Sequence, residues 1–269
     1  MISWLKTLHD RLESRLSASA AGGLDAPGGR WRHNLHFHLF DHAFLRSVWT
    51  NFARVADGVY RSNQPSPARM KRMKARGIRT VLSLRGDMPV SFNLLEREAA
   101  NKLGITLVSI RLHAKRVPSV ETLIALEELF RTLDRPLLIH CKSGADRAGF
   151  ASALYLILIE NRPVAEAARQ LHWRFLHRKG TWTGVLDYFF ETYDAAHRQS
   201  GISLMDWVRS DYDPKAMMRD YKRLLAEGRG RTRPILPLPR ARQEVIASAP
   251  LPEIVGPEVK IEADPERQA

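Results

Sequence analysis

The sequence predicts an α/β domain in which a central sheet is flanked by helices, preceded by an N-terminal helical extension and followed by a flexible, proline-rich C-terminal tail. Short apolar, β-branched stretches alternate with stretches of helical periodicity, an order typical of α/β folds. The tail holds seven of the 15 prolines and no aromatic residue, so it cannot bury enough apolar surface to fold. We therefore divide the chain into an extension (1–54), a compact domain (55–228) and a disordered tail (229–269).

The elements of the compact domain each have a local signal. The segment VADGVYRS (55–62) predicts two strands with a turn at Asp57 and Gly58. Pro67 and Gly77 delimit the first helix, and Ser119 is suited to cap a later one. The predicted elements are a strand pair at 55–62, helices at 66–77, 91–104, 119–133, 145–160, 163–171, 184–196 and 214–227, and strands at 78–84, 105–110 and 135–140.

The extension has two notable patterns. Four leucines between residues 5 and 16 fall on one helical face. We interpret this stripe as packing on the protein's own domain, with docking on a membrane or partner as the alternative. His36 and His38 are suitable metal ligands, but no cysteine or carboxylate cluster completes a site, so we expect no metal.

Composition narrows the function classes. Lys and Arg total 42 against 29 Asp and Glu, a formal net charge of +13, which attracts nucleic acid, acidic membranes or phosphorylated substrates, or simply aids solubility. The single cysteine excludes an internal disulfide, and no signal peptide is evident. The longest apolar run, 151–159, is too short to span a bilayer and predicts a buried helix. We expect a cytoplasmic protein, with peripheral attachment to an acidic membrane as an alternative.

The segment HCKSGADRAG (140–149) contains the one cysteine, between a predicted strand and a predicted helix. Backbone N–H groups and the helix dipole stabilise an anion at such a junction, and the same field favours a nucleophilic thiolate. Gly144 allows the loop to curl, and Arg147 is placed to hold two phosphate oxygens. The alternative, an inert buried thiol at Cys141, leaves the placement of Gly144 and Arg147 unexplained.

This segment resembles the signature of the cysteine-dependent protein tyrosine and dual-specificity phosphatase superfamily, which is His-Cys, five residues, Arg. GVYRSNQPSP and GIRTVLSLRG also resemble the start of its compact, atypical, bacterial branch. The resemblance implies a phosphatase-like fold, a catalytic role for residues 55–228, and hydrolysis through a phosphocysteine without metal or cofactor. It implies Cys141 as nucleophile, Arg147 as the second catalytic residue, and a phosphate-binding loop of Lys142, Ser143, Gly144, Ala145, Asp146 and Arg147.

Two departures from the family pattern concern the proton donor and the second reaction step. The loop that usually carries an acidic residue reads IRLHAKRVPS and has none. Asp146 is the first candidate for the missing acid, because bound phosphate would favour its protonated form; a purely structural role at the helix N-terminus is the alternative. His113 and Asp87 are the further candidates. Ala148 replaces the usual Ser or Thr after the arginine, which predicts slow release of the phosphocysteine or a compensating group.

Basic residues predict the substrate class. They surround the predicted site and are Arg61, Arg69, Lys71, Arg72, Lys74, Arg76, Arg79, Arg111, Lys115, Arg116, Lys142, Arg174, Arg178 and Lys179. Such a rim suits a multiply phosphorylated lipid, inositol or saccharide, and a phosphotyrosine protein is the other expected partner; solvated helix faces are the plain alternative. A phosphate-binding pseudophosphatase is the second functional hypothesis. A nucleic-acid binding protein is the third, and we expect no nucleic acid because interleaved aromatics and a known module are lacking.

Overall fold

The computed structural model describes residues 49–88, 90–230 and 260–262, and a six-stranded sheet forms the centre of this part. The strands are β1 (Ala53–Ala56), β2 (Val59–Asn63), β3 (Thr80–Ser83), β4 (Thr106–Ser109), β5 (Leu137–Cys141) and β6 (Lys260–Glu262). Their spatial order is β1-β2-β5-β3-β4-β6. The four inner strands are parallel, and β1 and β6 are antiparallel edge strands.

Eight α-helices accompany the sheet in the described part of the chain. They are α1 (Pro67–Ala75), α2 (Ser91–Leu103), α3 (Val120–Thr132), α4 (Asp146–Leu158), α5 (Val164–Ala167), α6 (Val185–Ser200), α7 (Leu204–Ser210) and α8 (Pro214–Ala226). The side chains of Ser66 and Ser119 cap α1 and α3 by accepting backbone hydrogen bonds. Gly104 ends α2 in the left-handed conformation that glycine adopts readily.

Helix α4 is buried along most of its length. All residues from 148 to 156 are buried, and Phe150 packs edge-to-face on Phe189 of α6 with ring centroids 5.1 Å apart. A second apolar cluster joins Met70 of α1 and Ala100 of α2 to Leu138 of β5. Burial on all sides explains why the sequence of α4 lacks a polar face.

The parallel strands bring three chain segments to one edge of the sheet. Cys141, the last residue of β5, is in register with Asn63 at the end of β2. His140 is in register with Ser62 on one side and Ser83 of β3 on the other. The loop after β5 therefore starts between the carboxyl ends of two neighbouring strands, where open α/β sheets bind their ligands.

The α/β class with a central sheet and flanking helices is confirmed, and the elements predicted up to residue 160 are present. The helix predicted at 163–171 is instead α5 followed by a 3₁₀ turn, Ala168–Gln170, and α7 was not predicted. The predicted boundary at Val55 lies inside β1, and three residues of the predicted tail form β6. The helical stripe, His36, His38 and the rest of the tail lie outside the described residues. None of the described helices has the length and apolar composition needed to cross a membrane.

Candidate active site

The loop between β5 and α4 surrounds the sulfur of Cys141. Cys141 is 1% exposed, and its Sγ accepts a hydrogen bond of 3.2 Å from the backbone N–H of Gly144. This contact curls the chain back over the sulfur within three residues. The backbone dipole of Gly144 therefore points at the sulfur.

Gly144 is required by the space around it. Its φ is +74°, and a Cβ would lie 2.6 Å from the backbone N of Asn63 and 2.7 Å from the carbonyl carbon of Ser62. Both atoms are backbone at the end of β2 and cannot move aside. The loop is also tied to this strand end by a 3.3 Å hydrogen bond from Gln64 N–H to the carbonyl of Lys142. The tight turn that the sequence predicted at Gly144 is therefore built against β2.

Arg61 lies beneath the loop and not on the surface, so its predicted place in an exposed basic rim is wrong. It is fully buried, and its NH2 group donates to the carbonyl oxygens of Gly144 and Ala145 at 2.5 and 3.2 Å. Its NH1 group donates to the backbone and side-chain oxygens of Gln170 at 2.6 and 2.9 Å, and the guanidinium lies 3.9 Å from the ring centroid of Phe175. Burial lowers the pKa of Arg61 to about 9, against the opposing effect of Cys141, so it is a cation at neutral pH.

A second correction to the rim concerns Arg69, which is 7% exposed. Its NH1 group donates to the side-chain oxygen of Asn63 at the end of β2. The basic side chains of α1 that are exposed are Lys71, Arg72 and Lys74. The loop residues Arg111, Lys115 and Arg116 are exposed as well, so a smaller cationic rim remains available for a polyanionic ligand.

Arg147 occupies the first turn of α4, as predicted, and is partly exposed. Its NH1 group lies 3.4 Å from the carbonyl oxygen of Leu84, just beyond β3. This long contact leaves the fork of the guanidinium able to turn toward an oxyanion held by the loop. Lys142 is partly exposed and Ser143 is exposed.

Ala148 follows in the same turn and is fully buried. It has no hydroxyl that could assist departure of the cysteine sulfur.

Asp146 is bound to a histidine far away in the sequence. Oδ1 of Asp146 lies 2.7 Å from Nδ1 of His177, and Nε2 of His177 lies 2.6 Å from Oδ2 of Asp187 on α6. The side chain of His177 is 1% exposed. Burial tends to lower the pKa of His177, but the hydrogen bonds to Asp146 and then Asp187 outweigh it and raise the pKa to about 9. His177 and Asp187 were not among the site residues predicted from the sequence.

The other two acid candidates also have cationic neighbours. Asp87 forms an ion pair with Arg97 of α2. His113 lies on the loop after β4, and partial desolvation of its ring together with nearby arginines lowers its pKa from the usual 6.5. The arginines that lower the pKa of His113 are Arg111, Arg116 and Arg147. The last of them places His113 within the electrostatic range of the cysteine loop.

A buried polar network surrounds His140, which precedes Cys141 at the end of β5. His140 is fully buried, with Nε2 2.9 Å from Oε1 of Glu96 on α2. Oε2 of Glu96 accepts a 3.2 Å hydrogen bond from Gln64, whose oxygen in turn accepts from Arg85. Arg85 lies over the ring of Phe92 at 3.3 Å from its centroid. Sequence reasoning missed these partners of His140, although a glutamate on the apolar face of α2 was a usable signal.

A match to a family model covers the site. Residues 50–180 match the model described as DSP-PTPase phosphatase fused to NAD+ Kinase. Over 105 residues the chain is 33% identical to Inositol diphosphatase DSP3 of Arabidopsis thaliana, which covers 37% of this chain and 50% of that protein. Over 112 residues it is 30% identical to Dual specificity protein phosphatase TpbA of Pseudomonas aeruginosa (strain UCBPP-PA14), which covers 41% of this chain and 48% of that protein. The chain thus spans about half the length of the curated relatives it matches.

Solved structures give a similar set of neighbours. The crystal structure of P. aeruginosa TpbA aligns at 22% identity with a TM-score of 0.42, over 60% of this chain and 89% of that one. The core catalytic domain of PP-IP phosphatase SIW14 from S. cerevisiae in complex with citrate aligns at 20% identity with a TM-score of 0.41, over 64% and 91%.

Proposed function

Residues 50–180 belong to the dual-specificity phosphatase-like superfamily, and from this premise we propose that the protein is a cysteine-dependent phosphatase with Cys141 as nucleophile. The observation that carries the proposal is the position of the Cys141 sulfur at the end of β5, 3.2 Å from the N–H of Gly144. A curled loop and a helix N-terminus with Arg147 in its first turn surround it. Together they form a cradle for a tetrahedral oxyanion.

The proposed first step is attack of the Cys141 thiolate on phosphorus. A sulfur–phosphorus bond forms while the bond from phosphorus to the leaving oxygen breaks, and the leaving group departs with the electron pair. Converging N–H groups and Arg147 stabilise the charge on the three non-bridging oxygens. In the second step water attacks phosphorus, the sulfur–phosphorus bond breaks, and phosphate and the thiolate are released.

The environment of the acid candidates bears on the substrate. Asp146 is paired with His177 and Asp87 with Arg97, while the lowered pKa of His113 leaves it neutral at pH 7. A site with weak proton donation favours leaving groups that are stable as anions. Of the expected substrates, a multiply phosphorylated compound that releases a phosphate leaving group fits this condition better than one that releases an alkyl alcohol.

The charge of the site supports the same substrate class. Arg111, Lys115 and Arg116 are exposed on the loop after β4, and three further cations are exposed on α1. One relative is named as an inositol diphosphatase and another as a dual specificity protein phosphatase. We therefore propose a multiply phosphorylated inositol, lipid or saccharide as substrate, with a phosphotyrosine protein as the second candidate.

The extent of the catalytic unit and its location are parts of the proposal. Asn51 donates to the carbonyl oxygens of Ser143 and Phe175 at 2.8 and 3.0 Å, which supports extending the catalytic domain upstream of the boundary at Val55. A cytoplasmic location is proposed, and the net charge of +13 supports contact with an acidic membrane surface.

A phosphate-binding pseudophosphatase is the second candidate, and Ala148 is the observation that favours it. Without a hydroxyl at this position, a phosphocysteine could form and persist. The cradle would then act as a binding site for a phosphorylated ligand.

One experiment separates the two candidates. The purified 269-residue chain is incubated with p-nitrophenyl phosphate, a phosphotyrosine peptide and a diphosphoinositol phosphate, and release of both the leaving group and inorganic phosphate is measured at pH 7. Multiple turnovers that disappear in Cys141→Ser support the phosphatase. A single stoichiometric burst, or binding without release, supports the pseudophosphatase and overturns the first proposal.

A further inference from the structure

His177 occupies a buried position between two carboxylates from different helices. It follows the 3₁₀ turn Trp173–Phe175 and Leu176, whose φ of +66° redirects the chain. Its two ring nitrogens lie 2.7 Å from Asp146 at the start of α4 and 2.6 Å from Asp187 on α6. The imidazole therefore joins the start of α4, next to the cysteine loop, to α6.

The number of ring N–H groups that the two contacts require determines the charge of this histidine. A neutral imidazole has one N–H and one lone pair, whereas an ionised carboxylate only accepts hydrogen bonds. With one N–H, one of the two short contacts would place a lone pair against an oxygen in a site closed to water. Two N–H groups satisfy both contacts, and the charge of the imidazolium offsets that of the two partly buried carboxylates.

The neighbouring charges agree with this assignment. Asp146 and Asp187 are the groups that raise the pKa of His177 by hydrogen bonding and by charge. Beyond them, Arg61 interacts electrostatically with Asp146. On the other side Asp187 contributes to raising the pKa of Tyr221 on α8 to about 12, after the larger effect of burial, so this phenol is neutral. Two anions thus face His177 directly, and the cation Arg61 acts on Asp146.

Helix α4 needs such an anchor at its first turn. Its N-cap residue is Ala145, which has no side chain able to accept a hydrogen bond from the helix. The contact between Asp146 and His177 ties this turn to another part of the chain through a side chain, and Arg147 is the next residue. A shift of Asp146 therefore moves the guanidinium that is proposed to grip the phosphoryl group.

We propose that His177 is a buried imidazolium that holds Asp146 as an ionised hydrogen-bond acceptor and thereby positions Arg147 over the cradle, with Asp187 as the anion that keeps His177 charged. The part of this proposal that concerns catalysis rests on the proposed phosphatase activity. His177 is a positioning residue, since it contacts Asp146 and not the reacting atoms. Asp146, held in this way, supports the loop and does not supply the proton to the leaving group.

The charge of His177 is tested without any enzyme activity. NMR of the full-length chain with labelled histidine rings reports the protonation of each nitrogen, and His177→Gln and the exposed His197→Gln assign the signals. We expect both nitrogens of His177 to carry protons at pH 7 and to lose one near pH 9. A single protonated nitrogen at pH 7 overturns the proposal, whatever the activity of the protein.

The positioning role is tested with two variants. Asp187→Asn removes the carboxylate charge on the α6 side of His177 and leaves Asp146 intact. The midpoint of the His177 titration, measured by NMR, should therefore move to lower pH. His177→Gln should weaken binding of orthovanadate, an oxyanion probe, and lower kcat by about 10- to 100-fold, as expected when a reacting geometry shifts slightly. His197→Gln should change neither. An unmoved midpoint in Asp187→Asn, or unchanged vanadate affinity in a folded His177→Gln, contradicts the proposal; an inactive wild type that keeps the NMR result contradicts only the phosphatase assignment.

Discussion

Arg61 donates a hydrogen bond of 2.5 Å to the carbonyl oxygen of Gly144 from beneath the cysteine loop. In a trans peptide the carbonyl and the next N–H point in opposite directions. A carbonyl that is held toward Arg61 therefore directs the N–H of Ala145 away from it. The second contact, to the carbonyl of Ala145 at 3.2 Å, does the same for the N–H of Asp146. A buried cation thus sets the direction of the amides that line the cradle.

The first prediction follows from this contact. Arg61→Lys keeps a charge but loses the planar fork that reaches Gln170 and both loop carbonyls. We expect the free energy of unfolding to fall by about 3 kcal/mol, because buried carbonyl groups lose their partners, and phosphatase activity to fall by about 100-fold. Chemical denaturation and steady-state kinetics measure the two effects. Arg131→Lys, at an exposed position of α3, is the matched control, and equal behaviour of the two variants would show that Arg61 does not shape the loop.

The position of Arg61 illustrates what the sequence could and could not predict. The strand, cysteine, loop and helix are local in sequence, so residues 137–158 could be placed from pattern alone. The contact of Arg61 with the loop joins residues 83 positions apart, and a single arginine in a short strand gives no sign of burial. The same holds for Asp146 and His177, which are 31 positions apart. Contacts of this kind are set by the order of strands in the sheet.

Helix α7 was missed for a different reason. It has seven residues, too few for a clear periodic pattern. A local signal was nevertheless present, because the hydroxyl of Ser203 accepts a hydrogen bond from the N–H of Asp206 and donates one to its carboxylate. Serine followed three residues later by an acidic residue is a sequence signal for a helix start.

The second prediction concerns the nucleophile. Cys141→Ser should abolish turnover of p-nitrophenyl phosphate, because an unactivated hydroxyl is a far weaker nucleophile than a thiolate. Phosphate binding should persist, since the backbone amides and Arg147 are unchanged. Kinetics and calorimetric titration with inorganic phosphate provide the measurements. Hydrolysis at the wild-type rate would rule out Cys141 as nucleophile.

The third prediction concerns the oxyanion grip. Arg147→Lys retains one positive charge but cannot bind two oxygens in a plane. We expect kcat/KM to fall by at least about 100-fold, as is typical when a preorganised charge stabiliser is removed. Arg131→Lys, in which an exposed arginine of α3 is changed, serves as the control. Full activity of the Arg147 variant would mean that the guanidinium does not contact the phosphoryl group.

The fourth prediction is a pH dependence of stability. The folded-state pKa of His177 is raised to about 9, above the usual 6.5, so the folded state binds its proton more tightly than the unfolded state. The resulting stabilisation, about 3 kcal/mol by linkage, is fully present below pH 6.5 and is lost as the pH rises through 9. Urea denaturation between pH 6 and 10 measures it. The slope over this range should be much smaller in His177→Gln, and equal slopes in the two proteins would contradict the raised pKa.

The last prediction concerns the missing proton donor. If Asp146 is held as a carboxylate by His177, Asp146→Asn should slow substrates of every leaving-group pKa by a similar factor, because it disturbs positioning and not proton transfer. His113→Ala should also leave the dependence on leaving-group pKa unchanged, since the lowered pKa of His113 leaves it neutral at pH 7. The measurement is a plot of log kcat/KM against leaving-group pKa for a series of aryl phosphates. We expect a steep line for the wild type and parallel lines for both variants, as for an enzyme without an efficient acid. A steeper line in one variant alone would identify that residue as the acid, and a steeper line for Asp146→Asn would restore the role that the sequence first suggested for it.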